Sequence, residues 1–167
     1  MSPIHEDHDF LSRYAARLLE AYFEVKPIGQ IRQAPFAMKI SRVKVSREPD
    51  LQVILNTNPG NLTPTYMDGP ADICIEIVSP ESVTRDHGEK FEEYEKGGVP
   101  EYWLIDPQRQ QAEFYQRGAD GIYRLTPADD QGLYRSRMLD GLWLKADWLW
   151  QRPLPSLLSV LKEWRLI

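Results

Sequence analysis

A single cysteine, Cys74, stands in this sequence, and an internal disulfide is therefore excluded. It sits inside the apolar run ICIEIV, where a cysteine reads as a small core residue. No apolar run approaches the roughly 18 residues needed to suggest a membrane span. The first ten residues, MSPIHEDHDF, are polar and acidic, so no signal peptide is expected and a cytoplasmic location is the default. Neither a glycine-rich phosphate loop ending in Lys-Ser or Lys-Thr nor a Gly-x-Ser-x-Gly elbow occurs, which argues against an NTPase and a serine hydrolase. The three histidines, His5, His8 and His87, form no zinc-ligand spacing with the cysteine. A basic excess is missing too: the net charge is −5 and the pI about 5.3. A domain that holds nucleic acid by bulk electrostatics is usually strongly basic, so any such contact here must use a local basic strip, a metal ion or a partner.

What is present fits one domain. A length of 167 residues allows a real core and leaves little room for a second one. Residues 8–24 repeat apolar side chains at helical spacing and predict an amphipathic helix whose stripe packs on the core. Residues 35–55 predict strands, with Val43 and Val45 alternating with Arg42, Lys44 and Ser46. Residues 56–70 are rich in turn formers and predict a loop. Residues 72–78 are apolar on both faces, as a covered central strand should be. A helix is expected to begin near Asp86, with Asp86 and Glu89 spaced as a capping box. Gly97-Gly98 and Pro100 close it. Residues 102–105 form the next strand, which makes a βαβ unit with a parallel pair. An antiparallel hairpin over 111–117 and 121–126, a strand running into a short helix at 142–150, and a last helix at 155–165 complete an α/β chain with a mixed sheet.

One residue breaks the central strand. Glu76 is a carboxylate inside an apolar run, which is costly unless it is paired, protonated or bound to a metal. Lys90, on the helix that follows, is the nearest candidate partner. Asp86, Lys90 and Tyr94 share one helix face at i, i+4 spacing. Asp50, at the start of the strand before the 56–70 loop, could lie beside residues 72–78. Two readings follow from spacing. The trio is either a structural Glu76–Lys90 ion pair with Asp50 as a turn residue, or a site where two carboxylates hold Mg²⁺ or Mn²⁺ and the lysine assists an attacking water.

The segment Ala71-Asp72-Ile73-Cys74-Ile75-Glu76-Ile77-Val78-Ser79-Pro80-Glu81-Ser82 resembles the signature of the Uma2 family, also called DUF820. Its continuation through Asp86, Lys90, Tyr94 and Gly98-Val99-Pro100-Glu101-Tyr102-Trp103-Leu104-Ile105-Asp106-Pro107 is similar too, as is the upstream Glu48-Pro49-Asp50. The resemblance is strongest over about residues 48–107. It implies a restriction-endonuclease-like mixed β-sheet flanked by helices, of the PD-(D/E)XK superfamily, and a DNA endonuclease that needs a divalent metal. Asp50 matches the motif aspartate and Glu76 the acidic residue. The lysine expected two positions later is Val78 here, and Lys90 would supply its charge. The family's second Pro-Asp is replaced by Pro70-Ala71-Asp72.

The remaining candidates each have a plainer role. Asp72 is a third metal ligand or a strand-entry residue. Arg42, Lys44 and Arg47 form a phosphate-contacting strip or a solvated strand face. His5 or His8 could approach the metal through the first helix. Tyr94 and Trp103 read as packing residues, and Asp106 as a turn after a strand. DNA is the expected partner, and a homodimer would suit a nuclease that cuts both strands. The alternatives are a catalytically silent DNA- or protein-binding module of the same fold, and a metal-dependent hydrolase of another phosphate ester.

Overall fold

The computed structural model describes residues 3–167, with side chains from residue 6 onward. The chain opens with a long helix, α1 (Pro3–Val25), followed by strands β1 (Gly29–Gln33) and β2 (Ala37–Ile40). A 3-10 turn at Ser41–Val43 leads into β3 (Val45–Arg47) and β4 (Leu51–Leu55). Two short strands, β5 (Asn61–Leu62) and β6 (Tyr66–Asp68), precede β7 (Ile73–Ile77). Helices α2 (Val83–His87) and α3 (Glu89–Gly97) lead to β8 (Glu101–Asp106), β9 (Gln111–Arg117) and β10 (Tyr123–Leu125). Strands β11 (Leu133–Arg135) and β12 (Trp143–Lys145), a 3-10 turn at Ala146–Trp150 and helix α4 (Leu157–Glu163) end the chain.

The main sheet runs β1-β4-β7-β8-β9-β10. Only β7 and β8 are parallel; the other neighbours are antiparallel. The expected βαβ unit is therefore the centre of a mixed sheet. Alternation along β7 assigns its two faces. Ile73, Ile75 and Ile77 share a core cluster with Leu11, Leu18, Leu19 and Tyr22 of α1, and with Tyr134, Leu144, Val160 and Trp164 of the C-terminal elements. Cys74 turns to the opposite face with Tyr94 of α3, Tyr102 and Leu104 of β8, and Met38, Ile40 and Met67 of a second sheet. That sheet has the order β3-β2-β6-β5. Both faces of β7 are thus covered, which is why its sequence is apolar throughout.

One strand is not foreshadowed by the sequence, and three local expectations need correction. Strand β1 carries no clear apolar alternation in Gly-Gln-Ile-Arg-Gln, because it is a half-exposed sheet edge. The stretch 56–70 is not all loop: β6 pairs in parallel with β2, so the chain crosses the second sheet on its way from β4 to β7. Residues 41–43 form a 3-10 turn and Lys44 takes a left-handed conformation at φ 54°, which breaks the strand expected across 43–45. The helix after β7 is broken at Gly88, and Asp86 lies buried within α2 instead of capping α3.

Glu101 opens β8 and is fully buried, with no ion pair among the described residues. Its carboxylate accepts from Trp103 Nε1, Tyr134 Oη, Ser136 Oγ and the backbone N–H groups of Arg137 and Met138, at 2.6–3.1 Å. It pins the 134–138 segment to the sheet. Glu101→Gln turns one acceptor end into a donor that faces other donors. It should lower stability by about 2 kcal/mol, read from the urea midpoint; an unchanged midpoint would refute this anchoring role.

Candidate active site

The register Leu51↔Ile75 in the antiparallel pair of β4 and β7 places Asp50, one residue before β4, opposite Glu76. Asp50 Oδ2 accepts the backbone N–H of Ile77 at 2.7 Å, which ties the start of one strand to the end of the other. The Pro49-Asp50 entry suits this position, since proline is tolerated where a strand begins. Asp50 is 21% exposed and stands at the rim. Glu76 is 2% exposed and stands inside.

The Glu76 carboxylate is fully partnered. Lys90 Nζ lies 3.1 Å from Oε2, and Tyr94 Oη donates to Oε1 at 2.9 Å. Lys90 also lies 3.1 Å from Asp86 Oδ1. The i, i+4 face of Asp86, Lys90 and Tyr94 does point to one place, although a helix break separates the first residue from the other two. Burial pushes the Glu76 carboxyl up to about 8. Lys90 pulls it down, but the charges of Asp50 and Asp86 add to the burial effect. Burial lowers the Lys90 ammonium, and the two carboxylates beside it more than offset this, so its pKa is raised.

His8, from the first turns of α1, brings Nε2 to 3.4 Å from Asp50 Oδ2. Its hydrogen bond to Asp50 raises its pKa, burial opposes this, and the charges of Asp50, Glu76 and Asp9 add to the rise. The side chain of His5 lies outside the described residues. The sequence gives no stronger signal for His8 than its place on the first turns of an amphipathic helix. Tyr94 and Asp86 carry more chemistry than their packing and capping readings suggest. Their helix spacing with Lys90 is the signal that points to them.

Other candidates do not join this centre. Asp72 lies at the far end of β7, about 13 Å along the strand from Glu76. Its Oδ2 accepts from the Leu55 N–H and Asn58 Nδ2, at 2.7 and 2.8 Å, so it organises the turn after β4. Burial raises its pKa against those bonds. Arg47 forms a two-bond fork with Glu93 and a further pair with Glu89, and its charge is offset by α3. Arg42 and Lys44 are exposed, but the 3-10 turn prevents them from sharing one strand face with each other. Asp106 accepts the Arg109 N–H and pairs with its guanidinium, as a turn residue does. Cys74 is completely buried, and burial pushes its thiol well up, consistent with an inert core residue.

The hard oxygen donors of Asp50 and Glu76 suit Mg²⁺ or Mn²⁺, which keep several waters and often take only one or two carboxylates. Among the described residues no group of three His, Cys, Asp or Glu side chains is arranged to hold a metal. A two-carboxylate site is what the donor set allows. It would leave positions open for water and substrate oxygens.

The family model described as "Putative restriction endonuclease", Uma2, matches residues 1–147. This chain belongs to the Uma2 family. A solved structure, "a putative nuclease belonging to DUF820 from Anabaena variabilis ATCC 29413", superposes with a TM-score of 0.70 at 18% identity. The match covers 86% of this chain and 80% of that one, and shows a shared fold. No curated relative matches in sequence. The Uma2 match spans all of Asp50, Glu76, Asp86, Lys90 and Tyr94 and stops before α4.

The raised pKa of Glu76 has a signed consequence for stability. The folded state keeps a proton between pH 4.5 and about 8 that the unfolded chain releases. Stability contributed by this group therefore falls as pH rises through that window. In Glu76→Gln the loss is removed. With chelator present, the variant should gain on the parent from pH 5 to pH 8, by at most about 1.4 kcal/mol per pH unit. Urea unfolding at several pH values measures it; a difference that does not change with pH would contradict the assignment.

Proposed function

We propose that this protein is a divalent-metal-dependent DNA endonuclease, in which Asp50 and Glu76 hold Mg²⁺ or Mn²⁺ and Lys90 assists the attacking water. The observation that carries this reading is the convergence of Asp50 and Glu76 across one strand pair, with an ammonium 3.1 Å from the buried carboxylate. Membership of a family described as "Putative restriction endonuclease" supports phosphodiester hydrolysis.

Bound to these carboxylates, the ion would polarise a phosphoryl oxygen and lower the pKa of a bound water. The remaining work falls to the chain. Tyr94 fixes the Glu76 carboxylate through Oε1 and so orients its other oxygen. The Ile77 N–H fixes Asp50 in the same way. Lys90 has three donors, and one can orient the nucleophile or offset charge gathering on the phosphoryl group. His8 places a half-buried imidazole 3.4 Å from the Asp50 carboxylate, where it can steady that side chain.

A second reading is a silent binding module in which Glu76 and Lys90 are a structural pair. The acidic net charge and the full pairing of both Glu76 oxygens favour it. A hydrolase of another phosphate ester would use the same centre.

Incubation with plasmid and linear DNA separates these readings. Mn²⁺-dependent cleavage is expected, lost with chelator and reduced at least 100-fold in Asp50→Ala and in Glu76→Ala. Cleavage that survives both substitutions would refute the site. Calorimetry with Mn²⁺ tests the metal independently. Because the ion must displace a proton from Glu76, affinity should rise up to tenfold per pH unit as pH approaches about 8, then level. No heat of binding at any pH would favour the silent module.

A further inference from the structure

The two carboxylates on Lys90 are held differently. In the function proposed above, Glu76 must turn charge toward a cation, and its grip on the ammonium weakens. Asp86 has no such task. It is 1% exposed, and its Oδ2 accepts the Ser82 hydroxyl at 2.6 Å. Ser82 Oγ in turn accepts the Ser79 N–H at 2.9 Å. The Asp86 carbonyl accepts the buried Tyr102 hydroxyl at 2.8 Å. Apart from the ammonium, Asp86 Oδ1 has no partner among the described residues. The far oxygen of this carboxylate is thus locked to the loop after β7 and the Asp86 backbone to β8, and the near oxygen faces Lys90.

The backbone supports the arrangement. Asp86 lies in the last turn of α2 and Lys90 in the first turn of α3, and Gly88 between them has φ −110° and ψ −95°. A Cβ at Gly88 would stand 2.7 Å from the Thr84 carbonyl oxygen. The break re-aims α3 while keeping both side chains on the buried side.

We propose that Asp86 is a positioning residue, which holds the Lys90 ammonium at the site independently of Glu76 and leaves its third N–H free for the substrate. This rests on reading Asp50, Glu76 and Lys90 as a nuclease centre. With Glu76 as its sole anchor, a long flexible lysine would lose its place when that carboxylate turned to a cation. With Asp86 as second anchor, it stays. The Lys90 side chain is still 13% exposed, so it is not sealed from solvent.

The test reads lysine order directly. ¹³Cε relaxation of Lys90 is measured without metal and with saturating Mg²⁺ in the parent, Glu76→Gln and Asp86→Asn. Glu76→Gln takes away the charge with which Glu76 can hold the ammonium and needs neither metal nor activity. Lys90 is expected to stay ordered in Glu76→Gln and to become mobile in Asp86→Asn; any other pattern overturns the proposal. Should Asp86→Asn fail to fold, Ser82→Ala replaces it, since it frees the far end of Asp86 and should loosen Lys90 in the same sense. In DNA cleavage, Asp86→Asn should lower kcat by about 10–100-fold with KM and Mg²⁺ affinity unchanged. If the parent does not cut DNA, the nuclease reading fails, and the order measurement still decides the anchoring.

Discussion

A carboxylate in the central strand governs this molecule. Glu76 is enclosed on a strand covered on both sides, where an unpaired charge is not tolerated. A cation, a hydroxyl donor and a second carboxylate collect around it for that reason. Lys90 and Tyr94 occupy its two oxygens, and Asp86 balances the lysine from behind. Burial still leaves its pKa well above the usual carboxylate range. The cluster is therefore both a structural solution and a chemically responsive centre, and the same desolvation produces both properties.

Topology delivers the partners. The parallel crossover from β7 to β8 lays α2 and α3 across the face that Glu76 points to. The antiparallel pairing of β4 brings Asp50 alongside from a different part of the chain. The second sheet carries the connection from β4 to β7 and closes the core of that face. From the other side, α1 covers the isoleucines of β7 and reaches past the sheet to set His8 against Asp50. Residues from five elements meet at one end of the β4–β7 pair, a common arrangement for chemistry on an α/β scaffold.

Much of this was legible beforehand, for identifiable reasons. The apolar run from Ile73 to Val78 and the run from Tyr102 to Ile105 flank a helix closed by Gly97-Gly98, so the βαβ unit follows from patterning. Glu76 stood out because it interrupts such a run. The i, i+4 face of Asp86, Lys90 and Tyr94 required only helical spacing. Strand β1 was not legible, because an edge strand with half-exposed residues need not alternate cleanly. The basic strip failed for a different reason. Residues 41–44 look like a strand by alternation, yet they turn, and Arg47 is taken by Glu93 from a helix about 46 positions onward.

By itself, the sequence determined the class of fold, the central strands and the chemical types at the centre, since these depend on periodicity and on the cost of one misplaced charge. Tertiary structure decided which carboxylates share that centre. Asp72 lies on the same strand as Glu76, closer in sequence than Asp50, yet it serves a turn at the opposite end. Asp86, which reads as a cap, turns inward because Gly88 breaks the helix. Pairing register and chain reversal set these outcomes, and both depend on contacts between segments distant in sequence, which local patterning does not carry.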